Sequence, residues 1–133
     1  DRAGNPDIYV IDKEVEDGLC ESDADSKLGL YQLTDTEGSE SDISWSPDGR
    51  QILFVSERDG NSEIYVMDSS GNNQVRLTQN DKTDKQPVWS PDGKNIAFVS
   101  DLDGDYDIFI MNSKGEDQKR LTNNEASDLN PSW

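Results

Sequence analysis

A five-residue phrase that recurs at a fixed interval limits what this chain can fold into. "WSPDG" occupies positions 45–49 and again 89–93, forty-four residues later, and the chain reaches Trp133 after a further forty-four. Leu-Thr pairs begin at Leu33, Leu77 and Leu121 with the same spacing. A period of about 20 to 50 residues is typical of repeat architectures, in which each repeat is one small supersecondary unit.

Each repeat carries four strand signals, here called strands a to d. Strand a ends at the tryptophan ("ISW", "PVW"), strand b is "QILFVS" or "NIAFVS", strand c is "EIYVMD" or "DIFIMN", and strand d is "QVRLT" or "QKRLT". The N-terminal "DRAGNPDIYVID" is another copy of the strand c phrase. Short β-branched and aromatic runs bounded by Gly, Asp and Asn indicate short buried strands.

The joins between these strands have the composition of tight turns. Ser46-Pro47-Asp48-Gly49 places Ser first, Pro second and Gly last, which suits a β-turn. Asp59-Gly60-Asn61 and Asp103-Gly104-Asp105 supply the positive φ that a hairpin needs. Four antiparallel strands in forty-four residues match one propeller blade, so we predict an all-β fold made of about three repeats of a partial β-propeller.

The repeat boundaries predict the organisation of the chain. Blade 1 is expected at 1–34, entered at strand c and carrying an insertion at 13–32, followed by blade 2 at 35–78, blade 3 at 79–122 and the start of another blade at 123–133. The insertion is predicted to extend the first c–d hairpin and to be dispensable. Propellers close with about four to eight blades, so we expect other copies, or the rest of a longer chain, to complete the ring. Trp45 and Trp89 are both predicted to be buried between blades.

These motifs together resemble the TolB-like family of WD-type β-propeller repeats. The resemblance rests on "LT" with an acid six residues later, then "P-x-W-S-P-D-G", "I-x-F-V-S", "D-G-N" and "I-Y-V-M-D". Glu40 and Ile43 depart from the pattern, because the later repeats have Asp84 and Pro87 there. The chain has no histidine, so the Asp–His–Ser/Thr network of true WD propellers cannot form.

The resemblance implies a non-enzymatic scaffold, periplasmic or extracellular, that presents a loop face or a central channel to a protein or peptide. It also leaves open an accessory propeller that gates substrate access to a larger enzyme, such as a prolyl oligopeptidase-type serine peptidase or a tricorn-type protease. A calcium-dependent structural or adhesive module is a third possibility.

Composition excludes several other classes. The net charge of −17 argues against nucleic acid and anionic membrane surfaces, and no apolar run reaches transmembrane length. Without histidine there is no Ser-His-Asp triad and no histidine-based zinc site, so we predict no enzymatic activity. Cys20 is the only cysteine and lies in an acidic stretch that does not activate a thiol, which indicates a structural or incidental role.

The charge is predicted to be polarised between the two ends of the blades. The b–c turns and d–a connectors together hold seventeen acids and four bases, including the strand-start acids Glu40, Glu63, Asp84 and Asp107. We predict that this acidic loop face is the binding face. Its densest cluster, "DLDGDYD", brings Asp101, Asp103, Asp105 and Asp107 around one turn, and carboxylates of this kind are ligands for Ca²⁺. The spacing does not match an EF-hand, so calcium is predicted only as a possible ligand.

Overall fold

The computed structural model describes residues 6–12, 29–122 and 128–133, and these form strands and turns without any helix. No helix in this part of the chain could therefore span a membrane. The ten strands are β1 (Tyr9–Asp12), β2 (Gly29–Gln32), β3 (Glu40–Trp45), β4 (Gln51–Ser56), β5 (Glu63–Asp68), β6 (Val75–Arg76), β7 (Asp84–Trp89), β8 (Asn95–Ser100), β9 (Asp107–Asn112) and β10 (Lys119–Arg120).

The strands form one hairpin and two four-stranded antiparallel sheets. β1 pairs with β2, β3 to β6 follow one another across the second sheet, and β7 to β10 do so across the third. The prediction of an all-β partial propeller with four antiparallel strands per blade is confirmed. We call the hairpin blade 1 and the two sheets blade 2 and blade 3.

Strands b and c lie where the sequence predicts them; β4, β5 and β8 are buried at successive positions, whereas β9 is buried at alternate positions. β4 and β5 pair over six residues each, and so do β8 and β9. Alternate side chains of one strand enter different cores: Leu53 points into the core shared with blade 3, and Ile52 into the core shared with blade 1. A strand that is buried on both faces is apolar at successive positions.

The two hydrophobic cores therefore lie between blades. The core between blades 2 and 3 contains Leu53, Val55, Ile64, Val66, Leu77, Trp89, Ile96, Phe98, Phe109 and Met111. The core between blades 1 and 2 contains Ile8, Leu33, Ile52, Phe54, Tyr65 and Met67, with Val10 packed against it. Stacking of neighbours is thus what buries each sheet, as expected of a repeat fold.

The prediction that both tryptophans are buried is wrong for Trp45. Trp89 is 8% exposed, whereas Trp45 is 46% exposed. Each tryptophan pairs with the first isoleucine of its strand b and shares its face, which is turned toward the preceding blade. For Trp89 that neighbour is the complete sheet of blade 2. For Trp45 it is blade 1, of which the described residues supply only the outer hairpin.

Strand d is shorter than predicted, because a threonine side chain ends the ladder. "QVRLT" forms only the two-residue β6, after which the Leu77 amide still donates to Ile64 O at 2.8 Å. The Ile64 amide then donates to Thr78 Oγ1 at 2.9 Å, so a hydroxyl replaces the next backbone carbonyl. In blade 3, the Ile108 amide donates to Thr122 Oγ1 at 3.0 Å in the same way.

The "WSPDG" turn is built in the same way in both blades. Ser46 Oγ donates to Asp48 Oδ1 at 2.6 Å and accepts the Gln51 amide at 3.0 Å, and Gly49 closes the turn at φ 70°. The hydrogen bond from Ser46 holds the pKa of Asp48 below its ordinary value of 3.8. The turn predicted from Ser, Pro, Asp and Gly is therefore present, and the hydroxyl of its serine connects the aspartate of the turn to the first residue of the following strand.

The insertion and Cys20 lie largely outside the described residues. Of 13–32, only Gly29–Gln32 is described, and it forms β2 rather than part of a loop. The β1–β2 pairing runs from Tyr9 opposite Gln32 to Asp12 opposite Gly29. The extra residues are thus those between the paired ends of one c–d hairpin, at 13–28.

Candidate functional site

The blades approach one another most closely at strand a. β3 contacts β7, while no contact joins β6 to β10 among the described strands. Successive blades therefore converge at β3 and β7 and diverge toward β6 and β10. The first strands form the inner wall of the arc, where a propeller has its channel.

A β-bulge in each inner strand turns one polar side chain along this wall. The pairing register shifts between Ser41 and Ser44 in β3, and the equivalent shift occurs in β7. Within the shift, Asp42 and Gln86 have φ of 50° and 52°, and Asn130 has φ of 58°. These three residues are spaced by forty-four, although their side chains differ. Left-handed backbone at non-glycine positions is uncommon and is worth attention at a candidate site.

The two bulge residues and Asn130 are linked in a ladder from blade to blade. The Gln86 amide donates to Asp42 Oδ2 at 3.1 Å, and the Asn130 amide donates to Gln86 Oε1 at 2.8 Å. The side chains of Asp42 and Gln86 therefore each accept the backbone amide of the next repeat. This ladder was not predicted from the sequence, where only the common spacing of Asp42, Gln86 and Asn130 indicates it.

A groove of about 280 Å³ runs beside the ladder. It is lined by Asp42, Ile43, Gln86, Pro87, Val88, Asn130 and Pro131. One row of the lining is polar and carries side-chain oxygens, and the adjacent row is aliphatic. Ile43 is 50% exposed, so an apolar surface is open to a partner here. The arrangement suits recognition of an extended segment with both polar and apolar groups.

Each complete blade also contains a buried acid–arginine–threonine network. Glu63 is fully buried, and its Oε1 accepts from Arg76 Nη2 at 2.8 Å while Thr78 Oγ1 donates to Oε2. In blade 3, Asp107 accepts from Arg120 Nη2 at 2.5 Å and from Thr122 Oγ1 at 3.2 Å. The Asp–His–Ser/Thr network is absent for want of histidine, and an arginine-centred network joins strands c and d instead.

The prediction of the acidic loop face needs correction, because four of its acids are buried. Glu40 is 4% exposed, and Glu63, Asp84 and Asp107 are not exposed at all. Their carboxylates accept hydrogen bonds from side chains of the same blade and are not available to a partner on the acidic loop face.

The four aspartates predicted to bind calcium point to different partners. Asp103 and Asp107 both contact Arg120, with Arg120 Nη1 at 3.0 Å from Asp103 Oδ2. Asp101 Oδ1 accepts the Thr83 amide at 2.7 Å, and Asp105 is exposed. Across residues 6–12, 29–122 and 128–133, no three acidic, histidine or cysteine side chains are arranged to hold a metal ion. Calcium binding at this turn stays a prediction.

Comparison with known proteins places this architecture in a family. The family model described as the TolB beta propeller domain matches residues 1–102. The chain belongs to the TolB beta propeller domain family. The resemblance inferred from the repeated motifs is therefore confirmed.

Solved structures agree with this assignment of the TolB propeller domain. An Agrobacterium tumefaciens protein assigned as TolB superposes with a TM-score of 0.67 at 29% identity, over 74% of this chain and 35% of that one. TolB from Acinetobacter baumannii gives a TM-score of 0.64 at 32% identity, over 77% of this chain and 26% of that one. The chain thus spans about a third or less of these TolB structures.

A curated relative carries a different description. The uncharacterized peptidase YuxL of Bacillus subtilis (strain 168) is 37% identical over 51 residues, which are 38% of this chain and 8% of that protein. TolB-type propeller repeats therefore occur in a protein described as a peptidase as well as in TolB proteins.

Proposed function

We propose that this TolB propeller domain is a non-enzymatic scaffold that binds a protein or peptide segment along its inner wall. The observation that carries the proposal is the groove beside the bulge ladder, where Ile43, Pro87 and Pro131 adjoin the side-chain oxygens of Asp42 and Gln86. A binding segment would contact the apolar row and hydrogen-bond to the polar row. Membership of the TolB family supports a periplasmic or extracellular location, which cell fractionation would test.

The proposal is tested by selecting ligands without assuming a partner. Peptides selected from a random phage-displayed library on the purified chain are synthesised and titrated by isothermal calorimetry. Ile43→Arg introduces a long charged side chain into the groove at a half-exposed position, so it should weaken binding by at least about tenfold without unfolding the blade.

The matched control lies on the outer strand. Val75 in β6 is 52% exposed, almost the same as Ile43, and is far from the inner wall. Val75→Arg should leave the affinity unchanged. Equal affinities of the parent and Ile43→Arg for the selected peptides, or a loss in Val75→Arg as large as that in Ile43→Arg, would refute the groove as the binding site.

The second candidate function is an accessory propeller that limits substrate access to a larger serine peptidase. The similarity to the Bacillus subtilis peptidase supports it. In that case the longer protein should carry a Gly-x-Ser-x-Gly phrase and hydrolyse chromogenic peptides, with activity abolished by replacing that serine. Ile43→Arg should then change the rate for long peptides but not for dipeptides. A longer protein without such hydrolysis would leave the scaffold as the function.

A further inference from the structure

Two buried acids at equivalent positions of blades 2 and 3 differ in the charge beside them. Glu40 begins β3, and its Oε1 accepts from Thr36 Oγ1 at 2.6 Å and from Ser56 Oγ at 2.9 Å. Arg58 Nη2 lies 3.5 Å from the same oxygen. The buried carboxylate of blade 2 therefore has a cation next to it.

Asp84 begins β7 in blade 3, and no lysine or arginine of the described residues forms an ion pair with it. The residue forty-four positions after Arg58 is Leu102, whose side chain is apolar and 42% exposed. Asp84 itself is 0% exposed; its Oδ2 accepts from Asn80 Nδ2 at 2.7 Å, and its Oδ1 has no hydrogen-bond partner within the described residues. Ser100 lies directly opposite Asp84 in the β7–β8 pairing.

The charged groups on the elements around Asp84 do not replace the missing cation. Glu63 of β5 has the same sign, and the Arg76 guanidinium of β6 is engaged at 2.8 Å by Glu63. The remaining groups are Asp101 after β8, which accepts the Thr83 amide; Lys85 of β7, whose Nζ lies 4.0 Å from the Tyr106 ring centroid; and Asp81 and Lys82 of the connector.

The pKa of Asp84 is raised from an ordinary value of 3.8 to about 6, mainly by burial and also by the charge of Glu63, while Ser100, Asn80 and Thr78 partly oppose the rise. Because the folded pKa is the higher one, protonation stabilises the folded chain. This stabilisation is complete below pH 3.8 and is lost as the pH rises toward the folded value of about 6.

Asp84 also lies at the joint between two blades. Its amide donates to Ser62 O of blade 2 at 2.9 Å, and it is two residues before the bulge residue Gln86. We propose that Asp84 makes the joint between blades 2 and 3 sensitive to pH, favouring the packed joint when its carboxyl group is neutral and weakening it on ionisation. The proton is exchanged with solvent, and the weakened joint is adjacent to the groove.

The first test compares the parent with Asp84→Asn by urea unfolding between pH 5 and pH 8, above the sequence pI of about 4.1. The amide keeps the size of the side chain and does not titrate. The folding equilibrium constant of the parent, divided by that of Asp84→Asn, should fall by about tenfold from pH 5 to pH 8, as one linked proton with a folded pKa of about 6 requires. A constant ratio would overturn the proposal.

A second pair of variants tests the role of the missing cation. Leu102→Arg places a guanidinium at the position that Arg58 occupies in blade 2, and Leu102→Gln adds a polar side chain without charge. Leu102→Arg should abolish most of the pH dependence assigned to Asp84, and Leu102→Gln should retain it. Equal pH profiles for these two variants would contradict the proposal.

If Asp84→Asn does not fold, the proposal is tested by titrating the Asp84 carboxyl group of the parent chain directly. The side-chain carboxyl carbon of Asp84 in the parent chain is followed by NMR, and its midpoint should lie near 6. A midpoint at or below the ordinary value of 3.8 would refute the proposal whatever the variants show.

Discussion

The two tryptophans of the repeated phrase "WSPDG" can be compared directly, because one is buried and the other is half-exposed. Trp89 packs in the core between blades 2 and 3, and Trp45 faces the side where only the outer hairpin of blade 1 is described. We predict that Trp89→Ala destabilises the chain more than Trp45→Ala does, although both residues are followed by the same four residues, "SPDG".

The size of the difference follows from burial. The exposed fractions are 8% for Trp89 and 46% for Trp45. On a side chain that buries up to roughly 250 Å², this corresponds to about 95 Å² more surface removed from water at Trp89. At about 25 cal/mol per Å², the difference is about 2.4 kcal/mol in the free energy of unfolding.

The indole N–H of Trp89 reduces this expected difference in the free energy of unfolding. Its Nε1 is buried without a hydrogen-bond partner among the described residues, and truncation removes that unsatisfied donor. An unsatisfied buried donor costs about 1 kcal/mol, so the expected difference between the two variants falls to about 1.4 kcal/mol. Trp89→Phe, which removes the donor and keeps an aromatic ring, should cost less than Trp89→Ala.

The measurement is urea unfolding of the full chain followed by far-ultraviolet circular dichroism, which does not depend on the fluorescence of the residue removed. Midpoints are compared only where the denaturant slopes agree, so that the difference reports stability. Should Trp45→Ala be as destabilising as Trp89→Ala, the assignment of their faces to different neighbours would be wrong.

Three further predictions concern the turns. Replacing 13–28 with "SSGN", the residues 69–72 at the equivalent register positions of blade 2, should change the free energy of unfolding by no more than about 1 kcal/mol, since loop length costs little; a larger loss in urea unfolding would give the insertion a structural role. Ser46→Ala should cost about 1 kcal/mol at pH 7, and this cost should shrink as the pH falls through the lowered pKa of Asp48, as measured by unfolding at both pH values. Arg120→Gln removes the cation beside Asp103, so any calcium binding detected by calorimetry should be tighter in this variant; no calcium heat in either chain would contradict the calcium prediction.

The fold was largely predictable because the repeat and the turns are local signals. β4 and β8 match the predicted strand b residues, since a six-residue apolar run between turns has few alternatives. The different exposed fractions of Trp45 and Trp89 could not be predicted, because exposure depends on which neighbouring strands cover each ring. The bulge at Asp42 and Gln86 was also missed, since a polar residue in a strand gives no sign of its φ. The spacing of Glu63, Arg76 and Thr78 recurs in blade 3 and could have revealed their network.

The bulge ladder shows how the inner wall can vary while the blades keep their arrangement. Asp42 and Gln86 make the same link with different side chains, a carboxylate and a longer amide, because the link requires only an oxygen that can reach the next amide. The left-handed backbone at Asp42, Gln86 and Asn130 sets the direction of each side chain, and the adjacent residues Ile43 and Pro87 line the groove. A change of charge at the wall, such as Asp42→Asn, would therefore keep the acceptor for Gln86 and alter what the groove attracts. Under the proposed function, one carboxylate oxygen of Asp42 links the blades and the other is left to contact a bound segment.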